Sequence, residues 1–155
     1  DIGAMLARVA ELPPTPRRLE FKRARSGVRI LDDSYNANPE SVLAALSVLD
    51  RVRDAQRRVL VLGDMRELGE GSEALHEELG EAAVGRVEAL VAVGPLAAIA
   101  GRAFARSSGC RLAFFDSLEQ LMPELDALFA PEDLVLFKGS RALQLDRAVD
   151  AMTAP

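Results

Sequence analysis

Short apolar runs alternating with helix-spaced segments predict an α/β fold built on a mostly parallel sheet. Two observations carry this reading. The runs Val59-Leu60-Val61-Leu62, Leu90-Val91-Ala92-Val93 and Leu134-Val135-Leu136-Phe137 are short and continuously apolar, with valine in each, as strands buried on both faces are. The segments between them carry apolar residues three and four apart, with one turn between each strand and helix. That rhythm implies βαβ units with right-handed crossovers and helices on both faces of the sheet.

The elements follow in order. Residues 1–12 read as a short helix with Met5, Leu6, Val9 and Ala10 on one side, ended by Pro13, Pro14 and Pro16. Residues 1–16 are therefore expected to be a linker and helix from a preceding domain, and residues 17–155 the domain proper. The chain opens on Asp1 rather than methionine and is expected to be a piece of a longer protein. Residues 18–24 and 28–31 form two strand-like runs joined by Arg25-Ser26-Gly27, a hairpin signal. The basic stretch from Arg17 to Arg29 reads as the solvated face of an edge hairpin, where charge guards against sheet-to-sheet association.

A helix is predicted over residues 39–53, with Val42, Ala45, Leu46 and Leu49 inward, Asn38 as N-cap and Pro39 at the first helical position. A strand over 58–63 precedes a helix over 72–84 with Leu75, Leu79 and Ala82 inward. A strand over 88–93 ends at Gly94-Pro95, where Pro95 opens a helix to about residue 106. Residues 111–115 are strand, and the Ser117-x-x-Gln120 pattern starts a helix to residue 129. The last strand covers 133–137 and the last helix ends near Met152. The sum is a three-layer, Rossmann-like domain with an added N-terminal edge hairpin.

Composition excludes several classes. A chain of 155 residues that is 49% hydrophobic can bury the core of one compact domain. A net charge of -5 argues against a general nucleic-acid binder. The single cysteine, Cys110, leaves no internal disulfide framework and suits a reducing compartment; it reads as a small residue near a strand start. No secretory pattern opens the chain and no apolar run is long enough to span a bilayer, so a cytoplasmic protein is expected. No His, Cys and carboxylate cluster has zinc spacing.

The polar clusters follow the strands. Asp32 to Asn38 follows the second strand, Gly63-Asp64-Met65-Arg66-Glu67-Leu68-Gly69 the third, and Lys138-Gly139-Ser140-Arg141 the last. In a parallel α/β sheet these ends share one edge, where ligands bind, so the three clusters are expected to meet at one cleft. Of the adjacent Asp32 and Asp33, only one should face it. Lys138-Gly139-Ser140-Arg141 reads as an anion site: Gly139 allows close backbone approach, Ser140 caps the last helix, and Lys138 and Arg141 add charge at its N-terminus. Gly69-x-Gly71-x-x-Ala74 matches a relaxed dinucleotide fingerprint but stands too far from its strand, and no Walker A pattern occurs. His76, one position after Leu75, reads as an exposed or capping side chain.

Four features in this order and spacing, Asp32-Asp33-Ser34-Tyr35-Asn36-Ala37-Asn38-Pro39, Gly63-Asp64-Met65-x-Glu67-Leu68-Gly69, His76 and Lys138-Gly139-Ser140-Arg141, resemble the C-terminal domain of the Mur ligases. Within that family they are most similar to the branch that adds D-alanyl-D-alanine. The likeness runs from Arg18 to Met152. It implies a three-domain cytoplasmic enzyme of peptidoglycan synthesis: ATP phosphorylates the carboxylate of UDP-N-acetylmuramoyl-tripeptide, and the amine of D-alanyl-D-alanine attacks the acyl phosphate. It further implies N-terminal and central domains in the same enzyme. The central one would carry the Walker A loop and Mg2+, so this fragment would hold no catalytic residue and be inactive alone.

The resemblance places Arg18, Asp33, Tyr35, Asn36 and Asn38 on the ATP-binding side, with Asp33 toward ribose. It places Lys138, Gly139, Ser140 and Arg141 near D-alanyl-D-alanine, with Asp64, Glu67 and His76 as further candidates. Two positions depart from the pattern. Arg17 stands where the family often has glycine, leaving open which arginine faces ribose, and Leu145-Asp146 stands where a Met-Glu pair is common. A stand-alone nucleotide- or anion-binding module and a related ligase extending folate with glutamate are the alternatives.

Overall fold

The computed structural model describes residues 15–52 and 54–154; the helix expected over residues 1–12 lies outside them. Six strands form one sheet: β1 (Glu20–Arg23), β2 (Arg29–Asp32), β3 (Arg57–Gly63), β4 (Ala89–Val93), β5 (Arg111–Phe115) and β6 (Asp133–Lys138). Their order is β1-β2-β6-β3-β4-β5. Only β1 is antiparallel, pairing Glu20 with Asp32 and Arg23 with Arg29; β2, β6, β3, β4 and β5 run parallel. The predicted hairpin and parallel sheet are both present, with β1 and β5 as edges.

The sheet has a core on each side because strand side chains alternate. Leu60, Leu62, Leu90, Ala92, Leu134 and Leu136 face one cluster, closed by α1 (Pro39–Leu49), α2 (Ser72–Ala83) and α3 (Pro95–Ser108). Val59, Val61, Val91, Val93, Val135 and Phe137 face the other, closed by α4 (Leu118–Leu121), α5 (Leu125–Leu128) and α6 (Asp146–Thr153). Every residue of β6 is buried, as suits a central parallel strand.

Helix α1 starts as predicted. The Asn38 side chain accepts from Ser41 N at 2.8 Å while the Ser41 hydroxyl accepts from Asn38 N at 3.1 Å, and Pro39 occupies the first turn. The helix ends at Leu49, four residues short of the predicted span.

Two expectations are corrected. The single helix predicted from Ser117 to residue 129 is two short pieces, α4 and α5, around a 3₁₀ turn at Met122–Glu124. Pro123 lies in that turn, and its missing N–H and bulky ring break the ladder. The Ser117 side chain makes no capping bond; Gln120 Oε1 instead accepts from Asp116 N at 3.0 Å.

The inward face of α2 is also displaced by one residue. His76, Leu79, Gly80 and Ala83 are buried, rather than Leu75 and Ala82. The cause is Gly80, where a Cβ would stand 2.0 Å from the Ala100 carbonyl oxygen of α3. The helices meet backbone to backbone at that point, so the contact stripe runs through 76, 79, 80 and 83. Gly80→Ala is expected to destabilise the fold by about 1–3 kcal/mol through overpacking. Gly71→Ala, where nothing lies within 4 Å, is expected to stay within about 0.5 kcal/mol of the parent. Urea unfolding midpoints of the two variants check the contrast.

Candidate functional site

Because β6 lies between β2 and β3, the loop after it is flanked by the loops after its neighbours. Direct bonds join all three. The Lys138 ammonium donates to Asp33 Oδ2 and to the Asn36 carbonyl, both at 2.7 Å. Ser140 N donates to the Asp64 carbonyl at 3.0 Å. The antiparallel hairpin adds a fourth segment. Since the start of β1 lies beside the end of β2, residues 17–19 arrive at the same edge, where Leu19 N donates to Asp33 Oδ1 at 3.2 Å and Tyr35 N to the Arg17 carbonyl at 3.2 Å. The convergence of the clusters is as expected; the contribution of residues 17–19 required the antiparallel register.

Backbone strain concentrates here. Arg17, Leu19, Glu67 and Gln144 are the non-glycine residues with left-handed backbone among the described ones, at φ of 61°, 52°, 65° and 52°. Each costs on the order of 1–3 kcal/mol and persists only where surrounding contacts hold it. All four sit in the segments that border the clefts.

The first cleft has a volume of about 320 Å³ and is lined by Arg18, Asp33, Tyr35, Asn36, Asn38 and Lys138, with Ala37, Ala44 and Ala45 as its apolar floor. All five residues expected on the nucleotide side line it. Asp33 faces it, whereas Asp32 is fully buried, accepting from the Ser34 hydroxyl at 2.5 Å and from Lys22 Nζ at 2.7 Å. Burial pulls the Lys22 ammonium down, but Asp32 and Glu20 together hold it above its usual range. The two arginines separate cleanly. Arg18 lies over the Tyr35 ring at 4.7 Å and lines the cleft; Arg17 pairs with Asp146 and with Asp150 outside it.

A second cleft of about 230 Å³ lies beyond Tyr35, lined by Tyr35, Asn36, Arg66, Glu67, Ser140, Arg141 and Ala142. Tyr35, 41% exposed, is common to both, and the Arg141 guanidinium lies 5.3 Å from its ring centroid. The Ser140 hydroxyl is buried and, among the described residues, has no hydrogen-bond partner. The expectation that Ser140 caps the last helix is corrected: a 3₁₀ turn at Arg141–Leu143 and a left-handed Gln144 intervene before α6, so this loop is not a helix N-terminus. Lys138 is corrected likewise, being 2% exposed and paired rather than an open cation. Gly139 instead serves a contact within the chain: a Cβ there would lie 3.1 Å from Gly63 Cα and 2.8 Å from Leu145 Cδ1.

The further candidates divide. Glu67 lines the second cleft. The Asp64 carboxylate accepts from Ala97 N at 2.7 Å, capping α3 from a neighbouring strand; Gly94 before that helix has no room for a side chain, since a Cβ would stand 2.6 Å from the same carboxylate. His76 is fully buried, not exposed. Its Nδ1 lies 2.7 Å from the Ser72 carbonyl and its Nε2 accepts from Met65 N at 3.0 Å, which places the proton on Nδ1. Asp64 and His76 thus support the loop and line neither of these two clefts. The signal for His76 was its position on the helix stripe set by Gly80.

With this geometry in view, the chain was compared with known proteins. The family model described as "Mur ligase, glutamate ligase domain" matches residues 17–141. The chain belongs to the Mur ligase family. It is similar to the UDP-N-acetylmuramoyl-tripeptide--D-alanyl-D-alanine ligases of Escherichia coli, 36% identical over 154 residues covering 97% of this chain and 32% of that protein, and of Bacillus subtilis, 33% identical over 147 residues covering 93% and 32%. The chain therefore spans about a third of the length of these curated relatives.

Among solved structures it is similar to a MurF from Acinetobacter baumannii, with a TM-score of 0.82 and 30% identity over 98% of this chain and 34% of that one. It is also similar to the MurF ligase from Thermotoga maritima in complex with ADP, with a TM-score of 0.76 and 29% identity over 97% and 35%.

In this Mur ligase domain, His76→Ala would strip the buried Met65 N–H of its acceptor. A loss of about 1–3 kcal/mol is expected from that orphaned donor alone. Chemical denaturation of the variant checks it, and an unchanged midpoint would remove His76 from the support of this loop.

Proposed function

We propose that this chain is the C-terminal domain of an ATP-dependent ligase that joins D-alanyl-D-alanine to UDP-N-acetylmuramoyl-tripeptide in the cytoplasm, as a step of peptidoglycan precursor synthesis. The observation that carries this reading is the adjacency of two polar clefts sharing Tyr35, each with a guanidinium on that ring. Such a ligase must hold two anionic partners side by side, a nucleotide and the carboxylate-bearing amino component. The names of the similar ligases support the same substrates.

The first cleft fits a nucleotide in chemistry. Its volume reaches the lower end of the ~300–1,000 Å³ usual for small-molecule sites. Asp33 keeps acceptor capacity for ribose hydroxyls, and Arg18 offers a fork of donors to phosphate oxygens. Asn36 and Asn38 supply further polar lining, although Asn38 Oδ1 is committed to capping α1. In the second cleft, Arg141 suits the carboxylate of the dipeptide, and Ser140 lies beside it with its hydroxyl enclosed and unpaired among the described residues. ATP supplies the activation of the tripeptide carboxylate; the residues here bind, orient and enclose. The family resemblance assigns Mg2+ to the central domain of the same enzyme, which with the N-terminal domain would complete the site. No helix among the described residues is long and apolar enough to cross a membrane.

The test is phosphate release by the full-length protein given ATP, UDP-N-acetylmuramoyl-tripeptide and D-alanyl-D-alanine. Release that needs all three supports the ligase; nucleotide binding without turnover would support a stand-alone module. In that assay Arg141→Ala and Ser140→Ala are expected to raise KM for the dipeptide, Arg141→Ala by roughly 10- to 100-fold for a lost charge-assisted bond. An unchanged KM would remove the dipeptide from this cleft. Arg18→Ala is expected to raise KM for ATP by a similar factor, whereas Arg17→Ala, which removes partly exposed ion pairs that lie outside the cleft, leaves it unchanged.

A further inference from the structure

We infer that Lys138 is a positioning residue for the nucleotide, holding Asp33 and the 33–38 loop in their binding shape, rather than a ligand of the amino component. This rests on the reading of the first cleft as the nucleotide site. Lys138 opens the Lys138-Gly139-Ser140-Arg141 loop, yet its ammonium does not accompany Ser140 and Arg141. It lines the first cleft and is absent from the lining of the second.

At 2% exposure the charge must be paired, and it is. One proton goes to Asp33 Oδ2 and another to the Asn36 carbonyl, both at 2.7 Å. The Leu19 N–H holds the other Asp33 oxygen at 3.2 Å. Asp33 N also donates to the Phe137 carbonyl at 3.0 Å and Tyr35 N to the Arg17 carbonyl at 3.2 Å, so the backbone of the loop is held at 33 and 35, and Lys138 ties Asp33 and Asn36 on either side of Tyr35. Lys138 also acts through charge. It offsets the Asp33 carboxylate, which would otherwise stand uncompensated beside incoming phosphates.

The experiment uses the full-length protein and two measurements. In Lys138→Met, KM for ATP is expected to rise at least tenfold while KM for D-alanyl-D-alanine stays within twofold, a split that general loss of packing would not produce. Amide hydrogen exchange is expected to quicken at least tenfold across residues 33–38 while residues 59–62 of β3 are unchanged. A rise confined to the dipeptide KM, or both constants and the exchange unchanged, would overturn the inference. Asp33→Asn breaks the same pair from its solvent-facing end and is expected to quicken exchange at residues 35–38; it decides the matter if Lys138→Met does not fold. Absence of ligase turnover in the parent protein would defeat the ligase reading alone, since the exchange comparison still decides whether Lys138 holds the loop.

Discussion

The placement of β6 between β2 and β3 is the constraint on which the rest of the molecule depends. A strand formed last in the chain is inserted at the centre of the sheet, paired on both edges and buried on both faces. Its carboxyl end therefore emerges between two earlier strand ends, where the strand order reverses and α/β folds gather their ligands. Gly63 and Gly139 close that point to near contact of their backbones. Without the insertion, Lys138 could not reach Asp33 and Asn36, which lie more than a hundred residues earlier.

Polar groups at this edge are sorted by burial into two kinds of work. Asp32, Asp64 and His76 are buried and fully engaged, with Lys22 and Ser34, with the start of α3, and with Met65 and Ser72. They rigidify the loops, as satisfied buried networks do. Arg18, Tyr35, Asn36, Glu67 and Arg141 stay exposed and available to ligands. Lys138 stands between the kinds, buried like the first and aimed at a cleft like the second. Ser140 is the exception that stays buried with its hydroxyl unspent.

Much of this was legible in the sequence because the physics was local. The runs at 59–62, 90–93 and 134–137 announce buried strands by their own composition, and Asn38-Pro39 announces a helix start by its own bonding. What was not legible depended on partners distant in the chain. The central place of β6 is set by its pairing with two distant strands, and nothing in Lys138-Gly139-Ser140-Arg141 itself distinguishes a helix N-terminus from the 3₁₀ turn that intervenes. The buried face of α2 followed from Gly80 meeting Ala100, a contact between two helices, so His76 looked exposed when it is enclosed. Arg17 and Arg18 are chemically alike, and only the antiparallel register of β1 directs one to Asp146 and the other to Tyr35. The break at Pro123 is local, since a proline inside a helical pattern removes a donor whatever its surroundings.

The reversed direction of β1 has a mechanical consequence. Because the first strand runs against the others, the polypeptide joins this domain at the ligand edge rather than at the opposite rim. Residues 17–19 are at once the tether and part of the cleft wall, through the bonds of Leu19 and Arg17 to Asp33 and Tyr35. The segment leading into the first strand therefore shapes the cleft itself, so a change at residues 17–19 is felt directly at Asp33 and Tyr35.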